Sequence, residues 1–180
     1  MNWPNLITIG RILLVPFTVW LIVSGAYLLA FAVFLIAGIS DGLDGFIARQ
    51  YGQRTELGAY LDPLADKVLL VSIFVTLAMQ RQLPAWFAIL VVSRDVMSVG
   101  AVLLARLVDK PLEMKPSLVS KVNTAGQIAI AGAVLALLGF HLDARGPLAL
   151  GYAAVGALTV ASGALYLRDW VHHMANGVRP

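Results

Sequence analysis

Apolar runs of about twenty residues recur along this chain, and no other feature limits its possible folds so tightly. At the helical rise, such a run spans the roughly 30 Å hydrocarbon core of a bilayer. Read with that ruler, the sequence predicts about six spans, at residues 7–23, 27–48, 59–79, 84–107, 118–140 and 148–170. The expected architecture is an all-α, polytopic membrane protein whose single domain occupies residues 1–180. Composition agrees, with 59% hydrophobic residues and 13% charged ones. That charged share is about half the roughly 25% usual in soluble domains.

Orientation follows from where Lys and Arg sit near the ends of the runs. Arg11, Arg49, Arg106, Lys121 and Arg168 fall on one side, against Arg81 and Arg145 on the other. Both termini are therefore expected in the cytoplasm. Arg11 and Pro16 within the first run, and the lack of a small-x-small cleavage site, argue against a cleaved signal peptide. The absence of cysteine excludes disulfide and thiol chemistry. A net charge of +3 suits an anionic lipid surface. No basic stripe with interleaved aromatics marks a nucleic-acid binder.

Against this apolar background, the stretch SDGLDGFIARQYGQRTELGAYLDPLADK stands out. Asp41 and Asp44 are three apart, which on a helix places both on one face, with Gly45 and Ala48 beside them. Asp62 and Asp66 are four apart, with Gly58 one turn earlier. If the two segments are antiparallel neighbours, four carboxylates converge with little bulk between them. Unscreened, they would repel and carry a large desolvation cost near a bilayer. Divalent cations with oxygen ligands remove that cost, and a pair of them can clamp the attacking and leaving oxygens of a phosphoryl transfer. Small residues then leave room for a pyrophosphate. Asp44 lies five residues before Arg49, about 7–8 Å below the interface. Pro63 predicts either a helix start or a kink, and Thr55 is placed to cap the following helix.

The pattern D-x2-D-G-x2-A-R-x8-G-x3-D-x3-D is met at Asp41, Asp44, Gly45, Ala48, Arg49, Gly58, Asp62 and Asp66. It resembles that of the CDP-alcohol phosphatidyltransferases, integral membrane enzymes that make phospholipids from a CDP-linked lipid. The resemblance implies two divalent cations, Mg²⁺ or Mn²⁺, on Asp41, Asp44, Asp62 and Asp66. It implies a nucleotide and pyrophosphate bed from Gly45, Ala48, Arg49, Thr55 and Gly58. Asp66 is then the candidate base for the attacking alcohol, with CDP-diacylglycerol as donor, CMP as leaving group and a homodimer as the assembly. A metal-bound carboxylate is a weak base, so the metal must also acidify the alcohol. The implied location is a bacterial inner membrane or a mitochondrial inner membrane.

Other polar residues bear on the acceptor. Arg94 and Asp95 interrupt an apolar span, where charge is costly and usually functional. Arg94 reads as a phosphate clamp, against a mutual or interhelical salt bridge, and Asp95, on another face, as the orienter of a basic partner. Lys121 and Asn123 open the fifth span, with Ser117 or Ser120 as cap. Asn5, Thr8 and Arg11 read as an interfacial anchor or as a face closing on the nucleotide. Ala125 with Ala129, and Gly132 with Ala136, read as helix-packing pairs. Phosphatidylglycerophosphate synthases of the family carry G-K-x-K-T at the fifth span, where this chain has Ser120-Lys121-Val122-Asn123-Thr124. With one lysine replaced by Asn123, the glycerol 3-phosphate dianion loses a cation. Phosphatidylglycerol, a singly charged phosphodiester, needs fewer. The runs SRDVM and KPSLVSKVNT also resemble the cardiolipin synthases, so phosphatidylglycerol is the favoured acceptor and glycerol 3-phosphate the alternative. A cation-coupled transporter would also carry intramembrane carboxylates, but would release no CMP and need no small-residue clearances.

Overall fold

Each predicted span becomes one helix of the computed structural model, which describes the backbone at 3–51, 56–107, 117–143 and 145–176 and side chains at 10, 12–40, 67–100, 117–143 and 146–172. The six are α1 (Trp3–Val23), α2 (Tyr27–Tyr51), α3 (Glu56–Met79), α4 (Ala85–Leu107), α5 (Leu118–Gly139) and α6 (Arg145–Asn176). Among the described residues there is no strand. Two helical stretches, Leu118–Gly139 and Gly146–His172, are long and apolar enough over described residues to cross a membrane. Shorter apolar stretches occur at Ile12–Val23, Tyr27–Ser40 and Lys67–Met79. α1, α2, α3 and α6 outrun their apolar runs, α6 most of all, because the backbone ladder continues into polar sequence while hydropathy marks only the apolar part. α3 begins at Glu56 and passes Pro63 without a break, so Pro63 is not a helix start.

The chain forms two compact units, Met1–Ala85 with Ala131–Ala144, and Trp86–Ile130 with Arg145–Pro180. In the first, α1 packs against α2 and α3. Ile22, Ala30, Ile73, Phe74, Leu77 and Leu135 are among its buried side chains. Two buried hydroxyls satisfy themselves within their own helices: Thr18 donates to the Leu14 carbonyl (2.8 Å) and Thr76 to that of Ser72 (2.7 Å). In the second, Phe87 lies tilted against Tyr152 with ring centroids 5.1 Å apart, and Trp86 meets Phe87 edge-on at 5.7 Å.

α1, α3 and α5 end in the same way. Gly25, Arg81 and His141 adopt φ of 74°, 58° and 55°. At each, the amide of the left-handed residue donates three residues back, and the next amide donates five residues back. This is the Schellman arrangement, which satisfies carbonyls that a helix end otherwise leaves open. Gln80 then joins two of these turns, since Tyr27 donates to its Oε1 (3.0 Å) and its Nε2 donates to the Val23 carbonyl (3.2 Å).

Small residues mark close approaches between helices, at Gly132 of the sequence pairs and at glycines outside them. A Cβ on Gly139 would stand 2.8 Å from Leu28 Cα, so the end of α5 touches the start of α2. A Cβ on Gly132 would meet Phe34 at 3.3 Å, as expected of a packing residue. Ala125 and Ala129 instead are exposed, so they do not pack within the chain. Gly126, Gly151 and Gly156 are the close approaches of the second unit. They meet Val155, Ile130 and Trp86 respectively.

Candidate functional site

The acidic stretch occupies the last turns of α2 and the first turns of α3. Asp41, Asp44, Gly45, Ala48 and Arg49 all lie on α2, and Gly58, Asp62 and Asp66 on α3. Helical backbone at these positions turns the three- and four-residue spacings into one face per helix. Only residues 52–55 separate Tyr51 from Glu56, so connectivity alone keeps those helix ends within about 18 Å. The side chains of 41–66 lie outside the described residues, as does Thr55 altogether. Asn5, Thr8 and Arg11 lie on α1, with their side chains likewise outside. Among the described residues, no group of three or more His, Asp or Glu could hold a metal.

The second unit contains a polar seam inside an otherwise apolar bundle. Arg94 and Asp95 of α4 are 5% and 4% exposed. Arg94 Nη1 donates to Asp95 Oδ1 at 2.8 Å, and Nη2 donates to Ser162 Oγ at 2.8 Å and to Ser120 Oγ. The pair sits on successive residues, about 100° apart around the helix, yet the long Arg side chain reaches its neighbour. Asp95 therefore orients Arg94 itself, and the mutual salt bridge is the arrangement found. Nε of Arg94 is buried with no partner.

Farther along the seam, Asn123 is fully buried and accepts from Thr159 Oγ1 (2.8 Å), a hydroxyl that also approaches its own helix carbonyl at Val155 (2.8 Å). Near the α5 start, Ser98 Oγ donates to the Arg94 carbonyl (2.9 Å) and Tyr166 donates to the Ser98 carbonyl (3.0 Å). Ser117 is the α5 cap, its Oγ accepting from the Ser120 amide at 3.2 Å, which leaves Ser120 Oγ free to receive Arg94. Lys121 is exposed one residue beyond, near the positive end of the helix dipole. Replacing Ser117 by Ala is expected to cost about 1 kcal/mol in unfolding in mixed micelles, with Ser117→Asn close to wild type.

One polar residue of the seam has no warning in the sequence beyond its spacing. Gln127 is 1% exposed, and neither its Nε2 nor its Oε1 has a partner. Its distance of four from Asn123 is the signal that could have found it, since i and i+4 share a helix face.

Comparison with known proteins decides the family. The model of the CDP-alcohol phosphatidyltransferase family matches residues 1–172. The chain belongs to the CDP-alcohol phosphatidyltransferases. Relatives in this family include the human cardiolipin synthase (CMP-forming), 38% identical over 149 residues, covering 74% of this chain and 50% of that protein. A rice chloroplastic CDP-diacylglycerol–glycerol-3-phosphate 3-phosphatidyltransferase is 36% identical over 75% of this chain and 46% of its own length. A Mycobacterium tuberculosis protein named as a probable phosphatidylglycerophosphate synthase is 34% identical over 176 residues, 92% of this chain and 80% of that protein. The chain thus spans about half the length of the human and rice phosphatidyltransferases. The match over residues 1–172 reaches from α1 into α6 and takes in the eight-position pattern on α2 and α3.

Proposed function

We propose that this chain transfers a phosphatidyl group from CDP-diacylglycerol to phosphatidylglycerol, giving cardiolipin and CMP. The observation that carries the proposal is the eight-position pattern lying on helical backbone in the last turns of α2 and the first turns of α3. Four carboxylates in that register form a hard-oxygen donor set suited to Mg²⁺ or Mn²⁺. Asp41, Asp44, Asp62 and Asp66 would hold two such ions, which when bound supply charge stabilisation to the phosphoryl oxygens. Gly45, Ala48, Arg49, Thr55 and Gly58 bed the nucleotide and pyrophosphate, where Arg49 meets phosphate charge and the small residues admit it. Asp66 takes the proton of the attacking hydroxyl. The oxygen of the acceptor forms its bond to the phosphorus that carries the lipid, and the bond to CMP breaks.

The acceptor falls to Arg94, Lys121 and Asn123. Lys121 is an exposed cation at a helix start, and Arg94 keeps its Nε–H for an oxygen while Asp95 neutralises its charge. One mobile cation suits a phosphodiester better than a phosphomonoester dianion. The second reading, glycerol 3-phosphate as acceptor, is favoured by the fuller length match to the mycobacterial relative. The protein would work as a homodimer of six-span subunits, in a bacterial or mitochondrial inner membrane, with its site and both termini on the cytoplasmic side.

Purified protein offered CDP-diacylglycerol with each acceptor separately tests the assignment by mass spectrometry of the lipid product. Cardiolipin with phosphatidylglycerol is expected. Stripping divalent ions should remove CMP release, and Mg²⁺ or Mn²⁺ should restore it; full output after chelation would refute the metal-dependent mechanism.

A further inference from the structure

Gln127 is the least explained residue in the molecule. It lies nine residues along α5 from Leu118, about 13 Å from that helix end at the helical rise. Its side chain is 1% exposed, and neither its amide nitrogen nor its amide oxygen has a partner. Polar groups buried that way are heavily penalised in an apolar interior. Helix association does not account for it. An amide acting as interhelical glue bonds across the interface, as Asn123 does with Thr159. Gln127 makes no such bond.

The chemistry of the unmatched atoms restricts what could complete them. A phosphate oxygen accepts only and would leave Oε1 unmatched. An ammonium group donates only and would leave Nε2 unmatched. A hydroxyl both donates and accepts, so a single group can serve both amide atoms at once. One turn earlier on α5, Asn123 Nδ2 is a further buried donor without a partner, which a hydroxyl oxygen can also accept from. The seam leads to the α5 start, where Ser117 and Lys121 are exposed.

We infer that Gln127 reads the secondary hydroxyl of a glycerol headgroup, donating from Nε2 to its oxygen and accepting its proton at Oε1. The inference rests on the reading that the second unit receives the acceptor. It does not depend on which acceptor is used, because phosphatidylglycerol and glycerol 3-phosphate both present a primary hydroxyl beside a secondary one. Gln127 is then a specificity residue, with the primary hydroxyl left to react.

The test compares each glycerol acceptor with its analogue lacking the secondary hydroxyl, phosphatidyl-1,3-propanediol or 3-hydroxypropyl phosphate. The readout is the ratio of kcat/KM values for CMP release, in wild type and in Gln127→Met. Wild type is expected to prefer the glycerol acceptor by at least about 10-fold, since a site built to bond a hydroxyl rejects the analogue without it. In Gln127→Met the preference should fall to within about 2-fold, with the KM for CDP-diacylglycerol unchanged and thermal stability not lowered. Gln127→Leu supplies the same comparison if the Met variant does not accumulate. An unchanged ratio in the variant, or no preference in wild type, would overturn the inference and leave the proposed reaction standing. No turnover of either glycerol acceptor would overturn the acceptor reading and this inference together.

Discussion

Asp66→Asn is expected to lower CMP release by about 10³-fold, while CDP-diacylglycerol binding weakens far less. Asparagine keeps the shape and one oxygen of the side chain, so a divalent ion held by three remaining carboxylates loses only part of its donor set. The lost property is basicity. Removing a positioned general base typically costs 10²- to 10⁴-fold, and here no other carboxylate of the pattern lies at the same end of the α3 stripe. Asp62→Asn makes the contrast. Lacking the base role, it is expected to weaken metal binding and donor binding together, raising the Mg²⁺ needed for half-maximal rate. Single-turnover CMP release, read beside direct binding of the CDP-lipid, separates the two. Normal turnover by the Asp66 variant would remove it from the chemistry, and the proton would then have to leave through another group.

How far the sequence reaches can be judged residue by residue. Spans at 27–48 and 84–107 predict α2 and α4 closely, because apolar length and backbone helicity coincide there. They part company at α6, which runs to Asn176 through Arg168, Asp169 and His172. Hydropathy measures transfer into lipid, whereas the helix needs only its own hydrogen-bond ladder, so polar residues end the first signal and not the second. Of the two readings of Pro63, the helix start is removed because α3 already begins at Glu56. Pro63 is the eighth residue of a twenty-four-residue helix, whose other backbone bonds outweigh the one donor it lacks. The family pattern was legible because its spacing is set by helix geometry, which needs no tertiary information. Tertiary partnerships were not legible. Nothing in the order Arg94-Asp95 distinguishes a pair that bonds itself from two residues facing different neighbours. Gln127 was overlooked for want of contrast: one amide in an apolar run reads as tolerated polarity until its partners can be inspected.

That buried pair should dominate the stability of the second unit, and Asp95→Ala is expected to cost about 3–5 kcal/mol. Arg94 would keep its charge, since guanidinium does not deprotonate in proteins, and would be left with two serine hydroxyls as partners. Neither hydroxyl neutralises it, and the apolar surroundings offer little solvation. Removing both charges should be far milder. In Arg94→Met with Asp95→Leu, side chains of similar volume refill the space, and Ser120 and Ser162 can donate to carbonyls of their own helices. The double variant is therefore expected within about 1 kcal/mol of wild type in reversible unfolding in mixed micelles, well above the Asp95 single variant. Its acceptor KM should rise at the same time, because Arg94 Nε is gone. A protein that is stable yet poor with acceptor would place the pair in function, retained despite a replaceable structural role. If Asp95→Ala unfolds within about 1 kcal/mol of wild type, Arg94 has another counter-charge, and the pair does not hold the second unit together.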